Sequence, residues 1–362
     1  MVSETARGGR RAIATRPRRG LVLGCGGTLG VAWTVAMLHE VSRALAWDPR
    51  TADVIVGTSA GAELATLLGS GVGIDALLAA AVGAPSADAA LARHFAAPPP
   101  GWPPWPRGRI GSVALAAALL PRALRRQGGV REVGALTALA GLLPEGRGDA
   151  GFLDALVDAH VPAPRWVAHH ATWIVAVDYD TGARVAFGSK GAPLASMRDA
   201  LRASWAIPGW FPPVTIGGRR YVDGGIASPA SADLLLPRAQ GEEAVDEVIV
   251  IAPMASTHQG PRRGLARVEG AVRSAMRRTL DREIDRLRAR GMRVLRLEPG
   301  AEDLRVMGPS FMDPARRLRV LESSLRSARR TVRAALAGRD WADAGSRAAG
   351  AEEAERAERW EA

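Results

Sequence analysis

Two copies of one pattern within fifty residues constrain this chain more than any other feature. Leu21-Val22-Leu23 is a short apolar run that closes in Gly24-Cys25-Gly26-Gly27-Thr28-Leu29-Gly30 and continues as a helical stretch from Val31 to Leu45. Asp53 to Val56 is a second apolar run, which enters Gly57-Thr58-Ser59-Ala60-Gly61 directly and continues as Ala62 to Leu68. Strand, glycine turn and helix, repeated, indicate an α/β fold built on a parallel, doubly wound sheet. The chain of 362 residues is long enough for one large domain of this kind with additions.

Further strands are predicted at Trp173–Val177, Val185–Phe187, Glu247–Ile251 and Met292–Leu297. Helices are predicted at Met197–Trp205, over 265–290 and at Pro314–Leu336. Residues 96–109 are too proline-rich for helix or central strand, since proline removes backbone donors. Ala/Leu-rich stretches follow near 113–126 and 133–143, the first carrying Arg122, Arg125 and Arg126, which makes it too short and too charged to span a membrane. Residues 96–143 therefore read as a lid or interfacial helix pair, or as plain packing helices. The resulting division is a disordered basic N-terminus over 1–20, a catalytic domain over 21–236, an α/β extension over 237–340 that completes the fold, and a polar tail over 341–362.

The net charge is +11, and Lys190 is the only lysine, so the excess is arginine in an alanine- and glycine-rich chain. That pattern matches the residue bias of a GC-rich genome. The arginines are also spread along the chain and interleaved with acids, whereas a directed field needs clustered charge. Nucleic acid is not an expected partner; peripheral contact with an anionic membrane is. The single Cys25 excludes an intramolecular disulfide and fits a reducing compartment. Val22-Leu23-Gly24-Cys25 imitates a lipoprotein cleavage site, but only Leu21 to Leu23 separate it from the basic run, too few for an apolar signal core. The expected location is cytoplasmic with peripheral membrane contact, and no motif fixes the oligomeric state.

Gly57-x-Ser59-x-Gly61 has the form of a nucleophile elbow, in which a serine sits on a sharp strand-to-helix turn whose flanks must be nearly free of side chains. The helix N-terminus beyond it favours developing negative charge. In an ordinary βα turn the same residues would be structural. The glycine turn after the first strand suits an oxyanion hole, offering backbone N–H donors at the start of a helix. Its rival is a dinucleotide-binding turn, but Leu29 stands where the third glycine of G-x-G-x-x-G, counted from Gly24, would fall. A third motif, Tyr221-Val222-Asp223-Gly224-Gly225, presents a carboxylate on a turn whose glycines permit a positive φ or close approach. A carboxylate within reach of a serine hydroxyl can act as its general base, although Asp-Gly alone is a common turn.

These motifs in this order resemble the patatin-like phospholipase family. So do Ala203-Ser204-Trp205-Ala206-Ile207-Pro208-Gly209-Trp210-Phe211-Pro212-Pro213 and the continuation Ile226-Ala227-Ser228-Pro229. The resemblance covers residues 21 to 236. It implies a three-layer α/β/α fold with a mostly parallel central sheet, and a lipid acyl hydrolase working through a Ser–Asp dyad without histidine. Ser59 matches the family's nucleophile and Asp223 its base. Gly26, Gly27 and Thr28 match its oxyanion donors, and Gly57, Gly61, Gly224 and Gly225 its elbow and turn glycines. The expected substrate is a lipid or other acyl ester, with no metal or organic cofactor. Cys25 and Leu29 depart from the family's loop, which usually carries glycine and a basic residue at those places.

A Ser–Asp–His triad of the α/β-hydrolase kind is the enzymatic alternative. Of His39, His94, His160, His169, His170 and His258, only His258 follows Asp223 as that order requires. It sits in a polar loop, and those enzymes usually place several strands before the elbow, whereas here the elbow follows the second strand. A weakly catalytic lipid-binding member of the family is the alternative from another class. The His169-His170 pair lacks a matched set of metal ligands, and Cys25 lacks a base that would make it a nucleophile.

Overall fold

A computed structural model describes residues 16–85, 88–96, 126–127, 130–131, 143, 145–161, 166–237, 244–258, 265–338 and 341. The two strand–turn–helix units are Arg19–Leu23 (β1) with Gly27–Ala44 (α1), and Val54–Thr58 (β2) with Ala60–Gly69 (α2). Both helices start earlier than the apolar pattern suggests. α1 begins inside the glycine turn and α2 begins one residue after Ser59. Their first turns are built from small residues that fit against strand ends, and such residues carry no hydrophobic periodicity to read.

Beyond α2 come Ile74–Val82 (α3), Ala89–Ala96 (α4), a small hairpin of Arg126–Gln127 (β3) and Val130–Arg131 (β4), and Gly151–His160 (α5). Thr172–Asp178 (β5), Arg184–Phe187 (β6), Met197–Ser204 (α6), Val214–Ile216 (β7) and Arg219–Asp223 (β8) follow. Glu247–Ile251 (β9), Leu265–Ala289 (α7), Arg293–Leu297 (β10), Ala301–Met307 (α8) and Arg317–Leu336 (α9) complete the order. One mixed sheet runs β10-β9-β1-β2-β5-β8-β7, with β6 also on β5. It is parallel from β10 to β5, and β6, β7 and β8 are antiparallel additions.

Alternation along the strands divides the interior into two layers. Leu21, Leu23 and Ile55 bury against Trp33 of α1 and Leu64 of α2, whereas Val22, Val56, Val248 and Val250 bury against Leu280 and Ile284 of α7. Helices therefore cover both faces, as the three-layer expectation requires. Residues 16–20, assigned from sequence to the basic N-terminus, are tied to the sheet. Arg18 N donates to Asp246 Oδ2 at 2.7 Å and Arg19 Nε to Glu247 Oε2 at 2.5 Å, so β1 starts two residues earlier than predicted. Trp341, placed from sequence in the polar tail, is buried with the Arg293 guanidinium 4.6 Å above its ring. Most of the suggested lid over 96–143, and the tail after Trp341, lie outside the described residues.

One arrangement in the sheet decides where the chemistry falls. β6 occupies one edge of β5 from Ile174 to Val177. β2 and β8 must then share the opposite edge: Thr58 pairs with Val175 and Asp223 with Ala176. Two strands arriving from opposite directions thus end at neighbouring positions of a third. Their final residues are brought together although 164 positions separate Ser59 from Asp223 in the chain.

Glycine is required where α2 meets β1. A Cβ on Gly61 would stand 2.0 Å from the Leu23 carbonyl oxygen, and one on Gly57 2.6 Å from Ala62 Cα and from the Gly61 carbonyl oxygen. These contacts are to backbone, which cannot swing aside. Gly61→Ala is expected to lower stability by about 3 kcal/mol or more in urea unfolding. Gly270→Ala, inside α7 with nothing within 4 Å of the added carbon, is expected to raise it by up to about 1 kcal/mol.

Candidate active site

Ser59 occupies the single residue between β2 and α2, with φ 55° and ψ −120°. This backbone conformation costs a non-glycine residue about 1–3 kcal/mol and persists only where its surroundings impose it. Three features do so here. Gly57 lets β2 lie close under the first turn of α2 and Gly61 lets that turn press against β1, and the Ser59 N–H donates to Ser204 Oγ at 2.8 Å. Ser204 Oγ in turn donates to the Val175 carbonyl at 2.7 Å, anchoring the turn to β5. Ser204 belongs to the Ala203-Ser204-Trp205 stretch, whose resemblance was legible in sequence but whose task was not.

Asp223 ends β8, buried at 4% exposure. Its N–H donates to the Ala206 carbonyl at 3.0 Å, and its Oδ1 accepts from Gly225 N at 2.7 Å. The Ser59 hydroxyl shares the cavity with this carboxylate and is near enough to lower its proton affinity. Burial pushes the Asp223 carboxyl up from 3.8 to about 7, while the nearby Ser59 hydroxyl and the bond from Gly225 pull it part of the way back. A carboxyl poised near neutrality beside a serine hydroxyl has the proton affinity that a general base needs. Gly224 and Gly225 serve by close approach rather than by positive φ. A Cβ on Gly224 would lie 2.7 Å from the Val175 carbonyl oxygen, and one on Gly225 3.0 Å from Cys25 Cβ and Sγ.

The glycine turn faces this pair. Gly24 N donates to the Ile251 carbonyl and Cys25 N to that of Pro229, each at 2.8 Å, so the turn is tied to β9 and to the segment after Asp223. Gly27, with φ 56°, starts α1. Leu29 N is used by the Phe311 carbonyl at 3.0 Å and Gly30 N by that of Gly26 at 2.9 Å. Among the described residues nothing accepts from the N–H groups of Gly26, Gly27 or Thr28. Gly26 and Gly27 line the cavity beside Ser59, whereas Thr28 is buried in the first turn of α1 and does not. The N-termini of α1 and α2 therefore converge near Ser59, placing two positive helix ends where a negative charge would form.

The cavity holds about 270 Å³. Ser59, Asp223, Cys25 and the glycine turn form its polar end; Ile207, Trp210, Ile226, Met254, Val272, Met276 and Phe311 are among its apolar walls. Such walls suit a hydrocarbon chain. Met254, Val272, Met276 and Phe311 come from beyond residue 236, and only their apolar character was visible in sequence. Cys25 stays a neutral thiol, because burial first and the Asp223 charge second push it far above the ordinary range. His258 is exposed, 3.3 Å through Nδ1 from Thr257 Oγ1, and does not line the cavity. Among the described residues no group of three or more His, Cys, Asp or Glu could hold a metal ion, and no helix is long and apolar enough to cross a membrane.

The raised Asp223 carboxyl has a consequence for stability. Below its unfolded value of 3.8 the group is protonated in both states, and its contribution is fully present. As pH rises to about 7 the unfolded chain releases the proton and the folded one holds it, so stability falls. The loss approaches roughly 4 kcal/mol at pH 8. Asp223→Asn is expected to unfold at higher urea concentration than the wild type at pH 8, the difference closing near pH 4.

No curated protein matches the chain. Among solved structures it is similar to the crystal structure of VipD from Legionella pneumophila, with 16% sequence identity and a TM-score of 0.37 over 88% of this chain and 67% of that one. The family model for patatin-like phospholipase matches residues 21–236, from the strand before the glycine turn to beyond the Asp-Gly-Gly turn. The chain belongs to the patatin-like phospholipase family, whose membership implies lipid acyl hydrolase activity.

Proposed function

We propose that the protein hydrolyses carboxylic esters of lipids through a Ser59–Asp223 dyad. The observation that carries this reading is the buried Asp223 carboxyl, raised to about neutrality and placed beside Ser59 at the polar end of an apolar cavity. Asp223 takes the hydroxyl proton as Ser59 Oγ attacks the ester carbonyl. The amides of Gly26 and Gly27, with the two helix N-termini, stabilise the oxyanion of the tetrahedral intermediate. Its collapse expels the alcohol, which leaves with the proton from Asp223, and the acyl group remains on Ser59. Water, activated by the same carboxylate, then releases the fatty acid and restores the serine. The acyl chain lies along the walls formed by Ile226, Met254, Val272, Met276 and Phe311.

Labelling the native protein with a fluorophosphonate and mapping the modified peptide is expected to place the adduct on Ser59; an adduct elsewhere overturns the assignment. Ser59→Ala and Asp223→Asn should each lower kcat for p-nitrophenyl butyrate by about 10³-fold or more with the fold retained. His258→Ala should leave turnover near that of the wild type. Because the base must be ionised, kcat/KM should rise with pH through about 7 and level off above it.

A further inference from the structure

Arg273 lies in α7, outside the residues matched by the family model, and is 4% exposed. Burying a guanidinium is costly unless its charge and donors are used. One use is direct: Nη1 donates to the Pro253 carbonyl at 2.7 Å. Pro253 follows β9 and sets its ring against the glycine turn. A Cβ on Gly26 would lie 2.7 Å from Pro253 Cγ, and one on Gly30 3.2 Å from it. Arg273 thus fixes Pro253, and Pro253 supports the turn whose Gly26 and Gly27 line the cavity. Val272 and Met276, on the same helix as Arg273, form part of the cavity wall.

The charge also reaches the turn. At the Cys25 thiol, next in sequence to Gly26, Arg273 opposes the effects of burial and of Asp223. A positive charge in a water-poor interior acts more strongly than it would at the surface.

We propose that Arg273 is a positioning residue for ester hydrolysis, holding Pro253 against the oxyanion turn and lending that turn a positive charge supplied by the C-terminal extension. The inference rests on the Ser59 reading above. On it, the position filled by Leu29, buried in α1 and without charge, is compensated from another element of the fold.

Arg273→Lys keeps the charge and a donor, Arg273→Gln keeps a donor alone, and Arg273→Met keeps neither. For each full-length variant, kcat and KM for p-nitrophenyl butyrate, the rate of fluorophosphonate labelling and the thermal midpoint are measured. Arg273→Lys is expected to stay within about three-fold of wild-type kcat. Arg273→Gln and Arg273→Met should fall about ten-fold or more in kcat and labelling rate with KM little changed. Wild-type turnover in both neutral variants overturns the proposal, and so does a loss in all three that follows their thermal midpoints. Failure of both neutral variants to fold overturns it as well, since Arg273 would then be a structural anchor. A wild-type protein that neither turns over ester nor labels at Ser59 refutes the dyad reading instead.

Discussion

The contact between the first turn of α2 and the end of β1 is the constraint on which the rest of the site depends. Gly61 lies so close to the Leu23 carbonyl that a single added carbon would stand 2.0 Å from it. With the helix seated there, the chain has one residue in which to leave β2 and enter α2, and Ser59 takes up the resulting strain as a positive φ. The same seating sets the start of α2 beside the glycine turn, where α1 begins. Two helix N-termini then meet at one place, and their unsatisfied amides favour an anion there.

The base is supplied by sheet topology rather than by proximity in sequence. β5 is the common partner: Val175 takes Thr58 and the next residue, Ala176, takes Asp223. Burial of that carboxyl destabilises the ionised form and raises its affinity for a proton to about neutrality. The property that disfavours the ionised folded state therefore also fits the group for proton transfer. Functional sites often carry such local conflicts, held in place by the surrounding packing.

The part of the chain beyond the family match is joined to this centre at several points. β9 pairs with β1, and Pro253 just after it braces the glycine turn. Farther along α7, Glu283 accepts from Ala232 N at 3.0 Å, holding the segment that follows Asp223. Arg184 binds Asp233 through both of its terminal nitrogens at 2.7 Å and reaches Glu283 at 3.1 Å. Burial, with Asp233 beside it, raises the Glu283 carboxyl above the ordinary carboxylate range despite that arginine. A ring of paired charges thus ties the turn of Asp223 to the same helix that carries Arg273.

The elbow, the glycine turn and the Asp-Gly-Gly turn could be read from sequence because each is a local demand. Only glycine allows such close backbone approach, and alternating apolar runs show where strands end. Those patterns determined the α/β class, the family, and Ser59 and Asp223 as candidates. They did not reveal that Ser204 locks the Ser59 amide, that Thr28 stays out of the cavity, or that Met276 and Phe311 form its wall. Nor did they show that Arg273 stands behind the turn. These facts concern which elements lie against one another across the sheet, and no periodicity along the chain encodes them. Sequence named the reacting groups through their backbone requirements, and the tertiary structure decided their contacts, their charge environment and the shape of the cavity they face.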